Sequence, residues 1–457
     1  MLKCQHANVK WTIMRPMINE CKRFLHVLFY AGLLVLITCL QAGAQSGLRI
    51  TLKPDVTSLS TQMIQQAIDS CAGAGGGTVV LAPGEYLCGS ITLKSKVRLQ
   101  LDKGALLKGS DKYADYRNDA FIYGKGLSDV AITGGGTIDG VDCYNPKGEE
   151  GFRGPHCIRL IDCQQIVIDG ITIKNSANWA INCRNCSGGK VTGVTILGGH
   201  DGLHTRFCSS FTVSGCDFRT GDDAFAGNDN RDFVITDCKV NTSCNGFRIG
   251  CLGLRVERCK IWGPGEYMHK IQRRTNMLSA FVHFSPKDEH PVLKSGNWVV
   301  RDVEIENVDH LYNYNFQEGL WQTGQPVTSI RFENIRAKGL LSAFNIIGDL
   351  DQSLVLEISG SQFRFRERAG SAPGSFEGAK LSSTGFFNAR NFSKISLTNI
   401  TLERLDHQPL LQMSEGKEVI LNNVRFVTGR DNSAPYRLTG ISGVTKSGLQ
   451  LNGEKMQ

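Results

Sequence analysis

From about residue 78 to 427 the chain runs in short stretches of alternating apolar and polar residues separated by turn residues, with no 3.6-residue apolar period. Aligning Ile171, Val194, Cys216, Cys238 and Cys259 brings a second set into line two positions on: Ile173, Ile196, Phe218, Val240 and Ile261. The steps are 23, 22, 22 and 21 residues. A period-2 apolar pair inside a repeat of this size predicts one solenoid coil per unit, with the pair pointing inward. Turns after every few residues predict three short strands per coil, so the fold class is all-β, a single parallel β-helix. Strands are predicted at Leu48–Leu52, Thr78–Leu81, Gly89–Leu93, Val97–Leu101, Val130–Thr133 and Gly136–Ile138, and again at Val303–Val308, Ile330–Ile335, Ile395–Ile400 and Val419–Val424. One amphipathic helix is predicted from a Ser60 cap through Met63, Ile64, Ala67 and Ile68 to about Cys71, where it would cap the first open coil. Insertions at Asp142–Gly154, Tyr267–Asn297 and 366–385 interrupt the repeat. Such insertions collect on one face of a solenoid and build a groove.

Residues 1–44 stand apart, because Lys22-Arg23 precede an apolar run from Phe24 to Leu40 and then Ala42-Gly43-Ala44. That is the pattern of a signal peptide cut near Gln45, with Met14 or Met17 as alternative starts. A lipoprotein reading through Leu36-Ile37-Thr38-Cys39 is weaker, since no small residue precedes the cysteine. The expectation is export to the periplasm or extracellular space of one folded domain, residues 45–457, a monomer without a membrane span. The leader carries five basic residues and Glu20, so its removal takes the formal charge from +8 to +4. This mild, diffuse basicity suits an anionic polymer and excludes a nucleic-acid module, which needs a clustered patch. Of 16 cysteines, the 13 after the leader all precede residue 260. Export would suggest disulfides, with Cys71 and Cys88 as one possible staple, but Cys216, Cys238 and Cys259 fall on inward positions where packing is the better reading. Cys183-Arg184-Asn185-Cys186 has no second pair at metal-ligand spacing, so no metal or cofactor is expected.

Seven residues beyond the aligned positions lie Asp201, Asp223 and Asn245, with Asp222 beside Asp223. Equivalent positions on stacked coils are about 4.8 Å apart, which puts Asp201 and Asp223 side by side. Asp222 can join them only if the chain bends, and Gly221 would permit that. Any single aspartate at a coil corner reads as a turn residue. Three together can hold a protonated carboxyl beside ionised ones, because packing like charges raises at least one pKa, and so supply an acid and a base.

The chain resembles the polygalacturonase-type enzymes of glycoside hydrolase family 28. The likeness rests on Gly75-Gly76-Gly77-Thr78 through Gly84-Glu85-Tyr86, on Gly136-Thr137-Ile138-Asp139-Gly140, on Asn175-Ser176-Ala177-Asn178-Trp179, and above all on Asp201-Gly202 followed by Gly221-Asp222-Asp223. The resemblance implies a right-handed helix, a catalytic domain over 45–457, and inverting hydrolysis with Asp222 as acid and Asp201 and Asp223 holding the water. Two departures fall on substrate recognition. Cys244-Asn245-Gly246 stands where the family has Gly-His-Gly, and the uronate-gripping Arg-Ile-Lys is missing. Asn245, Arg248, Lys270 and Arg273 are therefore the candidates for substrate contacts, with a solvated charge run as the other reading of residues 270–274. His200, His204 and His269 read as surface or packing residues. The aromatic run His310–Phe316 is either a groove wall or core. The substrate expected is a pectic or other uronic-acid-containing glycan. The rivals are a glycan-binding β-helix without activity and, third, a lyase using calcium on the aspartates.

Overall fold

The computed structural model describes residues 47–54, 59–366, 387–405, 409–429 and 435–456. The leader expected over residues 1–44 and nearly all of the insertion at 366–385 lie outside them.

The strands wind into a right-handed parallel β-helix, the hand that parallel crossovers take. One coil is Ile181–Arg184, Ser187–Thr192 and Thr195–Gly198; the next is Leu203–Arg206, Ser209–Ser214 and Asp217–Thr220. Each strand pairs in parallel with its counterpart, Ile181 with Leu203, Ser187 with Ser209 and Thr195 with Asp217. Both aligned sets point inward as the period requires: Ile171, Val194, Cys216, Cys238 and Cys259, and their partners two residues on, are all at most 2% exposed. A second inward file stacks aromatic rings, Phe225 on Phe247 at 4.7 Å and Phe247 on Phe281 at 5.0 Å between centroids. Corners repeat as well. Asn175 and Asn185 sit in the left-handed region, which asparagine tolerates, and donate to Asp139 and Asp162 of the preceding coil at 3.0 and 2.7 Å.

A helix, Thr61–Gly73, buries Ile64, Ala67, Ile68 and Cys71 against the first strands, Leu48–Leu52 and Gly77–Leu81. Ser60 precedes it, yet its hydroxyl makes no capping bond; its carbonyl accepts from Ile64 N at 3.0 Å instead.

The 13 cysteines of the described residues are all buried and free, so Cys71 and Cys88 make no staple. Cys186 and Cys208 each donate to the carbonyl two residues back at 3.3 Å, the behaviour of a small apolar side chain with a weak donor. In His310–Phe316, Leu311, Tyr312 and Tyr314 point into the core, and His310 lines the cavity described below, so the run serves both readings in part. The insertions supply much of the remaining wall. No helix among the described residues is long and apolar enough to cross a membrane.

Candidate active site

Strands starting at Leu203, Phe225 and Asn245 lie on successive coils, with Leu203 paired to Phe225 and Phe225 to Phe247. Asp201, Asp223 and Asn245 therefore occupy one row. Backbone bonds tie it together, Gly202 N to Asp223 O at 2.9 Å and Ala224 N to Asn245 O at 3.0 Å. Asp222 lies in the turn between Thr220 and Phe225, where the strand alternation no longer applies. Thr220 Oγ1 donates to the Asp222 carbonyl at 2.7 Å and fixes the turn. Carboxylate oxygens of Asp201, Asp222 and Asp223 come within 4.8 Å of one another. Gly221 serves differently from the sequence expectation. Its φ is not left-handed; a Cβ there would meet the Met268 carbonyl at 2.5 Å, so the glycine admits a loop rather than a bend.

The aspartates floor a cavity of about 810 Å³ walled by Glu149, Glu150 and Arg153 from one insertion and by His269, Ile271, Gln272 and Arg274 from another. Trp179, Phe284 and Trp321 supply aromatic surface. Residues 267–274 lie along the row of coil corners, with Met268 over Gly221 and the Lys270 stem over Gly199.

The three carboxyls differ in environment. Asp201 is 5% exposed, and burial together with the Asp222 charge pushes it well above the usual carboxyl range. His204 Nδ1 is 2.9 Å from its Oδ2, and burial, with Arg206 and Arg248 nearby, keeps that ring neutral. For Asp222 burial also acts upward, but the His269 hydrogen bond and the Arg153 and Arg248 guanidiniums outweigh it and hold the group below the usual range. Arg153 lies 3.5 Å from Asp222 Oδ2, and His269 Nε2 lies 3.5 Å from Oδ1. Asp223 accepts from Asn245 N at 3.1 Å and from Asn245 Nδ2 at 2.8 Å, with Arg248 at 3.4 Å. Burial thus favours a proton on Asp201, while His269, Arg153 and Arg248 favour charge on Asp222. This has a measurable consequence for stability. A folded-state pKa above the unfolded one, about 3.9, means that stability falls as pH rises from there to the folded value. Asp201→Asn abolishes that loss, so its melting temperature should equal the wild type's below about pH 4 and exceed it increasingly above; equal melting temperatures across the range would refute the assignment.

The four substrate-contact candidates part company. Arg248 lines the cavity, its guanidinium between the rings of Phe284 at 4.0 Å and Trp321 at 4.5 Å. Asn245 is 0% exposed and off the cavity wall; spent on Asp223, it positions a carboxylate instead of touching sugar. Lys270 ion-pairs with Asp142 of the facing insertion. Arg273 is exposed and turned away by a left-handed φ of 52°. Its neighbour Arg274 faces the cavity, held by the Ser243 and Asn276 carbonyls and by Gln272 Oε1. Sequence reasoning missed Arg153, Trp179 and Trp321, and dismissed His204 and His269. His204 stacks on Trp179 with ring centroids 3.5 Å apart. His200 alone matches its packing role, 3% exposed with burial lowering it to about 3.

Among the described residues, two donor groups are close enough to share a cation: Asp201, Asp222 and Asp223, and Asp222, Cys244 and His269. The second does not suit a metal. His269 Nδ1 accepts from Ile271 N at 3.2 Å and Gln272 N at 3.1 Å, so the ring proton sits on Nε2, the nitrogen that would have to bind. The first offers three acids where calcium takes six to eight oxygens, and Arg153 and Arg248 already stand beside it.

Residues 77–260 match the family model described as "Glycosyl hydrolases family 28". A probable polygalacturonase of Vitis vinifera is 28% identical over 203 residues, 38% of this chain and 41% of that one. An exo-poly-alpha-D-galacturonosidase of Dickeya chrysanthemi is 32% identical over 153 residues, 28% of this chain and 25% of that one. The chain thus spans less than half the length of these two relatives. Among solved structures, the family 28 exopolygalacturonase of Yersinia enterocolitica superposes with a TM-score of 0.54 at 15% identity, covering 88% of this chain and 79% of that one, and shares the fold.

Proposed function

We propose that the chain is a divergent, polygalacturonase-like member of glycosyl hydrolase family 28, whose model matches residues 77–260, and an exported glycoside hydrolase cleaving a pectic or other uronic-acid-containing glycan. The observation that carries the reading is the meeting of three carboxyls, in unlike electrostatic surroundings, on the floor of one cavity. Such a set can give a proton to a leaving oxygen and take one from water.

Asp222, the most open of the three at 17% side-chain exposure, donates to the leaving oxygen. Asp201 and Asp223, adjacent in the row, hold the attacking water. A proton favoured on Asp201 has to reach Asp222 before turnover, across a gap of 4.8 Å or less. Docked sugar displaces water from Asp222 and strengthens the burial effect that already raises it, which favours that transfer. Arg248 and Arg274 offer guanidiniums to a substrate carboxylate, and Trp179 and Trp321 offer ring faces to sugar. The carboxyl spacing is shorter than the about 6.5–9.5 Å of most inverting pairs. Inversion still requires that the water held by Asp201 and Asp223 reach the anomeric carbon from the face opposite the leaving oxygen that Asp222 protonates.

The test is release of reducing ends from homogalacturonan, rhamnogalacturonan and neutral glycans, followed by NMR of the anomeric protons in the first minutes. Release from a uronic-acid polymer with the anomer opposite to the cleaved linkage is expected. Retention would make one aspartate a nucleophile and remove the water site; unsaturated products would make the protein a lyase; no release from any polymer would leave a binding protein.

A further inference from the structure

We propose that His269 is the positioning residue of Asp222, a role built into the loop that follows the coil of Lys260–Trp262 and resting on the reading of Asp222 as the acid. Three observations distinguish it from a packed surface histidine. The ring is 5% exposed yet lines the cavity, with Nε2 3.5 Å from Asp222 Oδ1. Its tautomer is fixed from behind, because two backbone N–H groups, of Ile271 and Gln272, point at Nδ1. The proton on Nε2 can then go only toward the carboxylate.

The loop itself is anchored at every turn. His269 N donates to Arg274 O, and Arg273 N to His269 O, both at 3.0 Å, closing a tight turn. Ser243 Oγ donates to Tyr267 O at 2.5 Å, and the Arg274 guanidinium donates to Ser243 O. Lys270 ties the loop to Asp142, and the missing side chains of Gly199 and Gly221 make room for it. A side chain at Gly221 would meet the Met268 carbonyl and push the loop outward, whereas one at Gly199 would displace the Lys270 stem. Gly199, two residues before Asp201, is accounted for by this seat.

A donor at that place favours ionised Asp222 and fixes which oxygen faces the groove, so the ring sets both the acid's orientation and the pH at which it gives up its proton. Other charged or titratable groups also face Asp222. Asp201 and Asp223 oppose its ionisation; Arg153, held in turn by Glu150, and Arg248 favour it; Cys244, His200 and His204 complete the surroundings.

The experiment compares the wild-type chain with His269→Ala and His269→Gln, the second keeping an N–H donor. ¹³C titration of the Asp222 carboxyl, assigned through Asp222→Asn, needs no turnover. Its midpoint should rise in His269→Ala and move less in His269→Gln, and ¹⁵N spectra of the wild type should show the neutral ring protonated at Nε2. On an active substrate, His269→Ala should lose about 10²-fold in kcat at near-constant KM, its alkaline limb moved to higher pH, and His269→Gln should recover part of the loss. An unmoved carboxyl midpoint, or equal kcat in all three proteins, would overturn the assignment. A wild type inert on every glycan with the midpoint shift intact would instead reject the hydrolase reading and keep the His269–Asp222 coupling.

Discussion

Asp222→Asn should lower kcat by about 10²–10⁴-fold, the share that general acid catalysis supplies, while leaving affinity for the glycan near that of the wild type. The asymmetry follows from the site. Asn is nearly isosteric, so the turn held by Thr220 and the contact from His269 Nε2 can persist. What is lost is the proton for the leaving oxygen. The water-holding pair Asp201 and Asp223 stays, and so do Arg248, Arg274 and the aromatic walls that would hold sugar. Removing the charge between Arg153 and His269 also relieves the like-charge pressure on Asp201, whose carboxyl should then titrate lower. Initial rates of reducing-end release, with affinity measured by calorimetry on the same oligosaccharide, separate the two quantities. A loss below tenfold would take the acid role from Asp222, and Asp201, the carboxyl that burial pushes upward, would inherit it. A loss appearing only in affinity would make Asp222 a sugar contact.

The row Asp201, Asp223, Asn245 was legible because the coil period alone dictates it: once Val194, Cys216 and Cys238 are aligned, residues seven further on must stack. The same period revealed the inward cysteines. It is silent on the insertions, which carry no repeat and whose paths depend on contacts far along the chain. Arg153 reaches Asp222 from one insertion and His269 from another. Neither approach has a local signature; the one trace is the pair Gly199 and Gly221, where a missing side chain signals something seated above. Lys270 illustrates the converse. Its place in the sequence suggested substrate binding, yet Asp142, far earlier in the chain, neutralises it. Asn245 was placed correctly in the row and assigned wrongly, since alternation gives the face of a strand but not whether solvent reaches it.

Phe247→Ala should cost about 3–5 kcal/mol of stability, the usual range for a large aromatic removed from a packed core. Phe247 is fully buried, stacked within 1° of parallel on Phe225 and within 14° on Phe281, so the deletion opens a gap between two rings of one file. Relaxation is limited, because each neighbouring ring is held by a strand in register with the next coil. In a solenoid each coil contacts only those above and below, so a break here weakens both interfaces of the coil that carries Asn245 and Arg248. The effect should therefore reach the site before the whole chain unfolds. Denaturant midpoints measure the global loss, and hydrogen exchange should show faster opening of Asn245–Glu257 and the strands flanking it than of Leu411–Val427 at the far end. Uniform acceleration along the chain would mean that the coils open as one unit; no acceleration near Asn245 would mean that the ring file contributes little. The aspartate row rests on this file: Asn245 and Arg248, which hold Asp223, flank the residue whose ring keeps the coil in place.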